Sequence, residues 1–467
     1  MGEGLQRILV LGLGMSGMAA ARWGVSLQRS GGDVLVTVVD ERDETQDPTL
    51  AQRAQTLRDE GAEVLLGVAG VPAGPWDLVI ASPGMPPHAP VMVSARATAA
   101  PVISEVELGW RIARAPIAAV TGTNGKTTVT ALLSHLLLRA GIDARACGNI
   151  GETCVVEAAA LAPERSVLVA EVSSFQLALT DLFHPRVAVL LNITPDHLDW
   201  HGDFETYASD KAKIFANVGL GDTVVIDVDD LGSADKSAAA DSTGATVVRV
   251  SRHILHPGGA SVVDGVLTVD TSHGRVALVK PEDMLIRGEH NVSNALAAAA
   301  AALALGASVE GVRDGLSTFE PVEHRLEPAG EVDGVCWVND SKATNPDAVL
   351  KALTAFDAAP LIVLLGGRNK HNDFGPLARA VAARAKAVVL FGESRTELRE
   401  AFSGLEVTVT EADTMSQAVR AAKQLAAPGD VVLLSPANAS FDEFRSFGHR
   451  GDEFKRMVGA MSSGCGG

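Results

Sequence analysis

The chain of 467 residues has few cysteines, few aromatic side chains and a deficit of positive charge. Its four cysteines form no Cys-x-x-Cys pair and no Cys/His cluster with zinc-finger spacing, so a zinc finger is not expected, and scattered thiols fit a reducing compartment. With 39 Lys and Arg against 57 Asp and Glu, the formal net charge is −18. That balance disfavours a uniform basic surface for nucleic acid.

Long hydrophobic runs are also missing. The Ala-rich run over 295–305 is too short to span a bilayer. The N-terminus leads straight into a strand-like run, 8–11, without a signal-peptide pattern. We therefore expect a cytoplasmic protein, monomeric, with no membrane or nucleic-acid partner.

The chain does contain a repeated alternation of short apolar strands with helical stretches. Its length suggests about three domains, and the alternation predicts parallel sheets that are covered on both faces. The predicted fold class is α/β in three domains: a Rossmann-like N-terminal domain at 1–114, a P-loop-type central domain at 115–321 with a small extra sheet over 223–279, and a Rossmann-like C-terminal domain at 322–467.

The strongest single motif is the segment 120–128, VTGTNGKTT, which follows an apolar strand and opens a helix. A phosphate-binding loop requires this context, because its backbone N–H groups and the positive end of the helix face phosphate oxygens. Lys126 is expected to reach the β- and γ-phosphates, and the Thr127 hydroxyl to bind Mg²⁺. A full motif has Gly where this chain has Val120, so a glycine-rich turn without a ligand stays an alternative. The predicted nucleotide-binding residues are Gly122, Thr123, Asn124, Gly125, Lys126, Thr127 and Thr128.

A second glycine-rich loop follows the first strand. Gly12-x-Gly14-x-x-Gly17 precedes a helix, and Asp40 ends the next strand at about the distance of a dinucleotide-binding fingerprint. Alone this pattern is weak evidence, because the same geometry can hold any pyrophosphate. A nicotinamide cofactor, another diphosphate and a tight turn without a ligand are therefore all open at this loop.

Further polar positions follow the phosphate loop. Glu171 ends an apolar strand, where a carboxylate either binds Mg²⁺ or caps the structure. The segment 192–201 carries two histidines, but no third ligand at a convincing spacing supports a zinc site. For His197, a place beside a nucleotide-bound Mg²⁺ and a structural role both stay open. By pattern alone, Lys211 and Lys213 are typical of a solvated helix face.

The order and spacing of these and other segments resemble the Mur ligases of bacterial peptidoglycan synthesis over nearly the whole chain. The resemblance is greatest to members that add D-glutamate to UDP-N-acetylmuramoyl-L-alanine. It implies an ATP-dependent amide ligase that forms an acyl phosphate, releases ADP and phosphate, and binds the UDP-sugar, ATP and D-glutamate in its first, second and third domains. The segments that carry the resemblance are 121–127 (TGTNGKT), 148–151 (GNIG), 171–177 (EVSSFQL), 192–199 (NITPDHLD), 288–291 (GEHN) with Asn294, 323–325 (EHR), 339–345 (NDSKATN) and 434–442 (LSPANASFD).

For the nucleotide, the resemblance implies ATP with two Mg²⁺ ions. It implies that Lys211 carries a carbamate, which turns a cation into a carboxylate-like anion. The implied metal ligands are Thr127, Glu171, His197 and Lys211. The implied catalytic residues are Lys126, His197, Lys211 and Arg325, and the implied ATP contacts include Asn291, Asn294, Arg325, Asp340 and Lys342.

For the other substrates, the resemblance implies three groups of residues. The match is loose at 40–42 and in the middle of the loop 366–374. Another Mur or folylpolyglutamate-type ligase, a nicotinamide-dependent dehydrogenase and a non-catalytic nucleotide-binding module stay open as alternatives. The implied contacts are Ser16, Asp40, Glu41, Arg42, Ser82 and Gly84 for the uridine diphosphate end, Asn149 and His197 for the muramoyl-alanine end, and Thr344, Lys370, Ser440 and Phe447 for D-glutamate.

Overall fold

A computed structural model describes residues 4–43, 48–150, 153–272, 274–320, 323–356, 359–369 and 372–463. In these ranges the chain forms three β-sheets that are accompanied by helices. The predicted α/β class is confirmed. Within the described ranges, no helix is both long and apolar enough to cross a membrane.

The first sheet contains the strands β1 (Arg7–Leu11), β2 (Leu35–Asp40), β3 (Glu63–Leu66), β4 (Leu78–Ala81) and β5 (Val102–Ser104). They are parallel and lie in the order β3-β2-β1-β4-β5. Ile8 and Val10 pack into one buried cluster, while Leu9 and Leu11 pack into another, so both faces of the sheet are covered. This strand order opens a crevice beyond the carboxyl ends of β1 and β4, where α/β sheets bind ligands.

The helices of this region are α1 (Met15–Arg29), α2 (Pro48–Glu60), α3 (Pro90–Arg96) and α4 (Glu105–Ile112). The turn from β1 into α1 is tight. At Gly17, a Cβ atom would lie 1.9 Å from the carbonyl oxygen of Gly12. Only glycine fits there. Close packing of the helix against the turn is therefore enough to explain the third glycine of the loop, without a ligand.

The second sheet contains β6 (Ile117–Thr121), β7 (Ala144–Gly148), β8 (Val167–Glu171), β9 (Val187–Leu190), β10 (Thr223–Asp227), β11 (Thr246–Val250), β12 (Ala260–Val263), β13 (Val266–Thr271) and β14 (Gly274–Ala277). Their order is β14-β13-β12-β11-β10-β9-β6-β8-β7. The extra strands expected over 223–279 therefore do not form a sheet of their own. They extend the main sheet through the parallel pair β9 and β10 and end in the antiparallel strands β12 to β14.

The helices of this region are α5 (Lys126–Arg139), α6 (Val155–Leu161), α7 (Ser174–Ala178), α8 (Leu198–His201), α9 (Phe204–Ala212), α10 (Leu231–Ala234), α11 (Ser237–Asp241), α12 (Glu289–Ala304) and α13 (Val309–Thr318). β6 and β8 pair in parallel and end side by side. The predicted phosphate loop follows β6 and leads into α5, and the predicted metal ligand Glu171 is the last residue of β8.

The third sheet contains β15 (Glu327–Val332), β16 (Val335–Asn339), β17 (Leu361–Gly366), β18 (Ala385–Phe391), β19 (Thr408–Glu411) and β20 (Val431–Ala437) in the order β15-β16-β20-β17-β18-β19. Only the edge pair β15 and β16 is antiparallel among the pairs of this sheet in the described ranges. Its helices are α14 (Pro346–Leu353), α15 (Gly375–Arg384), α16 (Arg395–Ala401), α17 (Met415–Leu425) and α18 (Phe447–Ser463).

The chain divides into two compact units. The first unit comprises 1–281 and 293–317 and holds the first two sheets, and the second unit comprises 282–292 and 318–467 and holds the third. The predicted domain boundary between residues 114 and 115 lies inside the first unit, and the division at that point stays a prediction.

Candidate active site

The phosphate loop lies between β6 and α5, where the sequence predicts it. Gly125 caps α5 with a φ of 85°, a left-handed conformation that favours glycine. A Cβ atom at Gly125 would lie 2.6 Å from Oδ1 of Asn294, a predicted ATP contact. The loop thus requires a residue without a side chain at this point, and such a residue lets the backbone N–H groups come close to phosphate oxygens.

Two side chains that sequence analysis did not single out hold this loop. Asn192 accepts a hydrogen bond from the Asn124 backbone N–H at 2.8 Å and donates one to the Asn124 carbonyl at 3.0 Å. The hydroxyl of Tyr207 lies 2.9 Å from Oγ1 of Thr123. Tyr207 is the only tyrosine of the chain, but its position in the sequence gives no sign of a partner 84 residues away.

Two lysines meet at one carbonyl of the loop. The Lys126 side chain donates to the carbonyl oxygens of Gly122 and Thr123, each at 2.9 Å. The Lys211 side chain donates to the same Gly122 oxygen at 2.8 Å. Burial, reinforced by the positive charge of Lys126, holds the pKa of Lys211 well below its usual value.

The pattern-based interpretation of this helix as a solvated face is therefore wrong for Lys211, which is only 2% exposed. α9 packs this residue against the loop, over the ring of Tyr207 at 4.7 Å. Lys213 is different, because its side chain is 38% exposed and pairs with Asp210 at 2.9 Å. Helical periodicity does not show this difference between the two lysines, because the burial of a side chain depends on what packs against it.

Thr127 and Glu171 form the pair expected for a magnesium site. The Thr127 hydroxyl donates to Glu171 Oε2 at 2.7 Å, and Asn149 Nδ2 donates to Glu171 Oε1 at 3.0 Å. Hydroxyl and carboxylate oxygens are the hard ligands that Mg²⁺ prefers. Among the described residues, no group of three or more His, Cys, Asp and Glu side chains could hold a metal ion.

His197 lies at the start of α8 in an unusual backbone conformation. Its φ is 54°, which is uncommon for a residue with a side chain and which often marks functional sites. Its Nε2 lies 3.7 Å from Oδ2 of the buried Asp196, and its ring meets that of Phe175 edge-on at 4.7 Å between centroids. The ring is thus held in place beside a carboxylate.

The second histidine of this segment is buried in a hydrogen-bonded network. His201 Nδ1 lies 2.9 Å from Asp210 Oδ2, and its Nε2 lies 3.0 Å from the Ser174 hydroxyl. The ring of Phe175 stacks on it at 5.5 Å. This network joins α7, α8 and α9, and it places Asp210 next to Lys211.

Arg325, a predicted ATP contact of the second unit, lies near the buried Asp340. His324 and Leu326 on either side have φ values of 61° and 45°, and the buried Nε of Arg325 has no hydrogen-bond partner among the described residues. Asp340 accepts hydrogen bonds from Ser435 and from the backbone of Leu326. Burial raises the pKa of Asp340 to about 6, although the charge of Arg325 opposes this rise.

The remaining predicted ATP contacts are also placed. Asn291 is buried in the second unit and donates to the carbonyl of Arg287 at 2.7 Å. The ammonium of Lys342 lies over the ring of Phe447, 5.2 Å from its centroid. Thr128 is buried in the first turn of α5.

Among the predicted D-glutamate contacts, Ser440 is buried and Phe447 is 37% exposed. Thr344 is partly buried in the loop before α14. Lys370 lies outside the described residues. Sequence analysis missed Arg450, which is fully buried and donates to the side chain and carbonyl of Ser341 at 2.9 and 2.8 Å.

The first sheet carries the residues predicted for the uridine diphosphate end. Burial favours a higher pKa for Asp40, but hydrogen bonds from Arg42 and from the Leu13 N–H outweigh it and hold that pKa below the usual value. Glu41 accepts from the backbone of Val91 at 3.0 Å. Both carboxylates are therefore engaged within the protein.

Ser16 and Ser82 lie at a cavity of about 260 Å³ in the first unit. The Ser82 hydroxyl donates to the carbonyl of Gly12 at 3.1 Å, and Gly84 follows with a φ of 87°. Asn149, from the loop after β7, lines the same cavity. The structure thus brings residues predicted for the two ends of one substrate to a single cavity. Its lining residues are Gly14, Met15, Ser16, Ser82, Pro83, Glu105, Gly148, Asn149, Cys154 and Gln176.

Comparison with known protein families gives two matches. Residues 120–302 match the Mur ligase middle domain, and residues 324–438 match the Mur ligase glutamate ligase domain. The two ranges contain both the phosphate loop and the segment around Arg325.

Comparison with curated proteins gives relatives of the same length. The chain is 41% identical over 466 residues to a UDP-N-acetylmuramoylalanine--D-glutamate ligase of Pelotomaculum thermopropionicum, with 98% of each chain covered. It is 43% identical over 459 residues to a protein of the same name from Frankia casuarinae, with 97% of this chain and 94% of the relative covered.

Solved structures share the fold at lower identity. A pseudomurein peptide ligase type C from Methanothermus fervidus is 19% identical with a TM-score of 0.60, covering 98% of this chain and 100% of that one. The MurF ligase of Thermotoga maritima in complex with ADP is 17% identical with a TM-score of 0.62, covering 92% of this chain and 96% of that one.

Proposed function

The chain belongs to the Mur ligase family, and we propose that it is an ATP- and Mg²⁺-dependent ligase that adds D-glutamate to UDP-N-acetylmuramoyl-L-alanine. The observation that carries this proposal is the cluster beyond the ends of β6 and β8. There the Thr127–Glu171 pair, 2.7 Å apart, lies beside a loop to which both Lys126 and Lys211 are bonded. Relatives that match over the full length carry the name of this activity.

The reaction has two steps. The alanine carboxylate of the UDP-sugar attacks the γ-phosphorus of ATP, the bond to the β-phosphate oxygen breaks, and ADP leaves an acyl phosphate behind. The D-glutamate amine then attacks the acyl carbon, phosphate departs, and the amine loses a proton as the amide forms. Both steps bring anions together, so the site must supply positive charge.

Lys126 and Arg325 supply that charge from the protein. Lys126 would exchange its loop carbonyls for the β- and γ-phosphates, and Arg325 would neutralise the γ-phosphate during transfer. The unpartnered, buried Nε of Arg325 supports this role, because such a donor lacks an acceptor until an anion arrives. Asn291, Asn294, Asp340 and Lys342 complete the proposed ATP contacts.

Thr127, Glu171, His197 and Lys211 are the proposed ligands for two Mg²⁺ ions. Bound Mg²⁺ would offset phosphate charge and orient the oxygens for transfer. Lys211 would first react with carbon dioxide. Its nitrogen attacks the carbon, a proton is lost, and a carbamate anion remains. Burial favours the neutral amine that this reaction requires.

The first sheet is the proposed UDP-sugar site. A nicotinamide cofactor would place its ribose on the acidic residue at the end of β2, but both oxygens of Asp40 are bonded to Leu13 and Arg42. A site for a sugar diphosphate needs only the glycine loop for its phosphates. Ser16, Ser82 and Gly84 would hold this end of the substrate and Asn149 the acyl end. Thr344, Lys370, Ser440 and Phe447 would bind D-glutamate.

The test is product identification by mass spectrometry. The protein would be incubated with ATP, Mg²⁺ and UDP-N-acetylmuramoyl-L-alanine, together with D-glutamate, L-glutamate, L-alanine or a diamino acid in separate reactions. We expect the mass of one added glutamate with the D-isomer alone. An amide product with a different amino acid, or with a folate acceptor in place of the UDP-sugar, would assign the chain to another ligase of this fold.

A further inference from the structure

A buried pair of side chains at the cavity wall has no part in the scheme above. Glu105 is the first residue of α4 and is 1% exposed. Its Oε1 accepts a hydrogen bond from Gln176 Nε2 at 2.7 Å. Its Oε2 is buried and has no hydrogen-bond partner among the described residues. Both side chains line the cavity of about 260 Å³.

The orientation of the Gln176 amide is fixed from the other side. Its Oε1 accepts from the backbone N–H of Ser173 at 2.7 Å and from the Ser173 hydroxyl at 2.9 Å. The bond from the Ser173 N–H is half of a capping box at the start of α7, and the Gln176 N–H completes the box by donating to the Ser173 hydroxyl oxygen. Because the amide oxygen is used in this way, the amide nitrogen must face Glu105, and it fixes the carboxyl at the cavity wall.

The place of the pair along the cavity follows from the lining residues. Ser16 and Ser82 lie on the side of the first sheet, where the diphosphate is proposed to bind. Asn149 lies on the side of the second sheet, where it contacts Glu171. Glu105 lies in the short connection between the two sheets, so it lines the part of the cavity that the sugar must cross.

We propose that Glu105, held by Gln176, is a specificity-determining residue that hydrogen-bonds the hydroxyl or acetamido groups of the amino sugar. This inference rests on the proposed function. A buried carboxyl oxygen without a partner is unfavourable until a ligand pairs it, so a sugar gains affinity by supplying that partner.

The charge state of Glu105 agrees with an uncharged ligand group. Burial raises the pKa of Glu105 to about 7. The hydrogen bond from Gln176 and, less strongly, the nearby backbone N–H groups of Val156 and Val155 oppose that rise only in part. With a pKa of about 7, this carboxyl is about half protonated at pH 7, and its protonated form both donates and accepts, as sugar hydroxyl and amide groups do.

A purely structural role makes a different prediction. If the pair only joined α4 to α7, its loss would weaken the binding of every ligand of the first sheet to the same extent. If it contacts the sugar, UDP alone would bind as before, because UDP does not reach Glu105. The comparison of UDP with the full UDP-sugar therefore separates the two roles.

Calorimetric titrations of Glu105→Ala and Glu105→Gln with UDP-N-acetylmuramoyl-L-alanine, UDP and ADP test the proposal. We expect Glu105→Ala to weaken binding of the UDP-sugar by about tenfold while UDP and ADP change by less than about twofold. Glu105→Gln keeps an acceptor and a donor, so its loss should be smaller, about threefold. The control is Glu60→Gln, which removes a surface ion pair with Arg22 between α2 and α1 of the same region.

Equal losses for UDP and the UDP-sugar, or no loss for either, would overturn the assignment of Glu105. If Glu105→Ala fails to fold, the nearly isosteric Glu105→Gln tests the proposal by the same comparison, the loss of affinity for the UDP-sugar against the loss for UDP. A wild-type protein that binds no UDP-sugar at all would overturn the proposed function and this inference together. If the wild-type protein turns over its substrates and the Glu105 variants bind the UDP-sugar as tightly as the wild type, the inference is overturned while the proposed function stands.

Discussion

The side-chain nitrogen of Lys211 lies 2.8 Å from the carbonyl oxygen of Gly122, inside the phosphate loop. Lys126 donates to the same oxygen from its other side at 2.9 Å. Two ammonium groups that share one carbonyl repel each other, and Lys211 is also buried. The arrangement favours removal of one positive charge, and a carbamate on Lys211 would remove it.

We expect Lys211→Ala to lower kcat by at least about 100-fold, because it deletes the proposed anionic metal ligand. Small carboxylic acids such as formate or acetate should restore part of the activity by occupying the space of the carbamate. Steady-state ADP release with and without the acid measures both effects. The matched control is Lys213→Gln, in the same segment and 38% exposed on its side chain, for which we expect a change below about threefold. Absence of rescue would weaken the metal-bridging role.

We expect Lys126→Ala to lower kcat by about 100- to 1,000-fold while the protein stays folded, because the lysine would meet charge that develops on the transferring phosphate. In the structure its side chain donates to the backbone carbonyls of Gly122 and Thr123. Single-turnover ADP formation checks this prediction, with circular dichroism as the control for folding. Retained activity would remove the loop from the catalytic scheme.

We expect His201→Leu to destabilise the protein by about 2–4 kcal/mol, because it leaves buried groups of Asp210 and Ser174 without their partner. Urea unfolding measures the loss. The control is His184→Leu, whose ring contacts Asp222 but is 42% exposed, and which should cost less than about 1 kcal/mol. Similar losses for both variants would contradict the network as a structural support of α9.

We expect Asp340→Asn to stabilise the second unit at pH 8 and to lower ligase activity. The pKa of Asp340 is raised from 3.8 to about 6, so its carboxyl opposes folding above pH 6, progressively less between pH 6 and 4, and not at all below pH 4. The increase in the free energy of unfolding that the substitution causes should be at most about 3 kcal/mol at pH 8, and it should vanish near pH 3.5. Thermal unfolding of both proteins across this pH range tests the sign. An increase in stability that is the same at every pH would contradict this prediction.

Local pattern predicted the strands of the fold well where they are apolar and buried. The strand-like run 8–11 lies within β1, and Asp40 and Glu171 end β2 and β8 as predicted. Two strands of the first unit were missed. Val102–Ser104 has three residues, and Ala144–Gly148 contains Arg, Ala and Gly and alternates irregularly between buried and exposed positions. Pattern also does not reveal pairing, so the sequence predicted a small extra sheet over 223–279 without showing that its strands continue the main sheet.

The site was predicted in part. Thr127 and Glu171 were each predicted to bind Mg²⁺, and the structure brings their side chains together where the parallel strands β6 and β8 end. The contacts of Tyr207, Asn192 and Arg450 depend on residues that are far away in sequence, and nothing local marks them. Lys211 shows the same limit, because its burial depends on the loop against which α9 packs.

The central claim is that ATP cleavage is coupled to the joining of UDP-N-acetylmuramoyl-L-alanine and D-glutamate. Initial rates of ADP release test it most directly, with ATP, Mg²⁺ and the UDP-sugar present and D-glutamate added or omitted. We predict sustained release only with D-glutamate, with one amide product formed for each ADP. Equal ADP release without D-glutamate, or sustained release with another amino acid in its place, would contradict the claim.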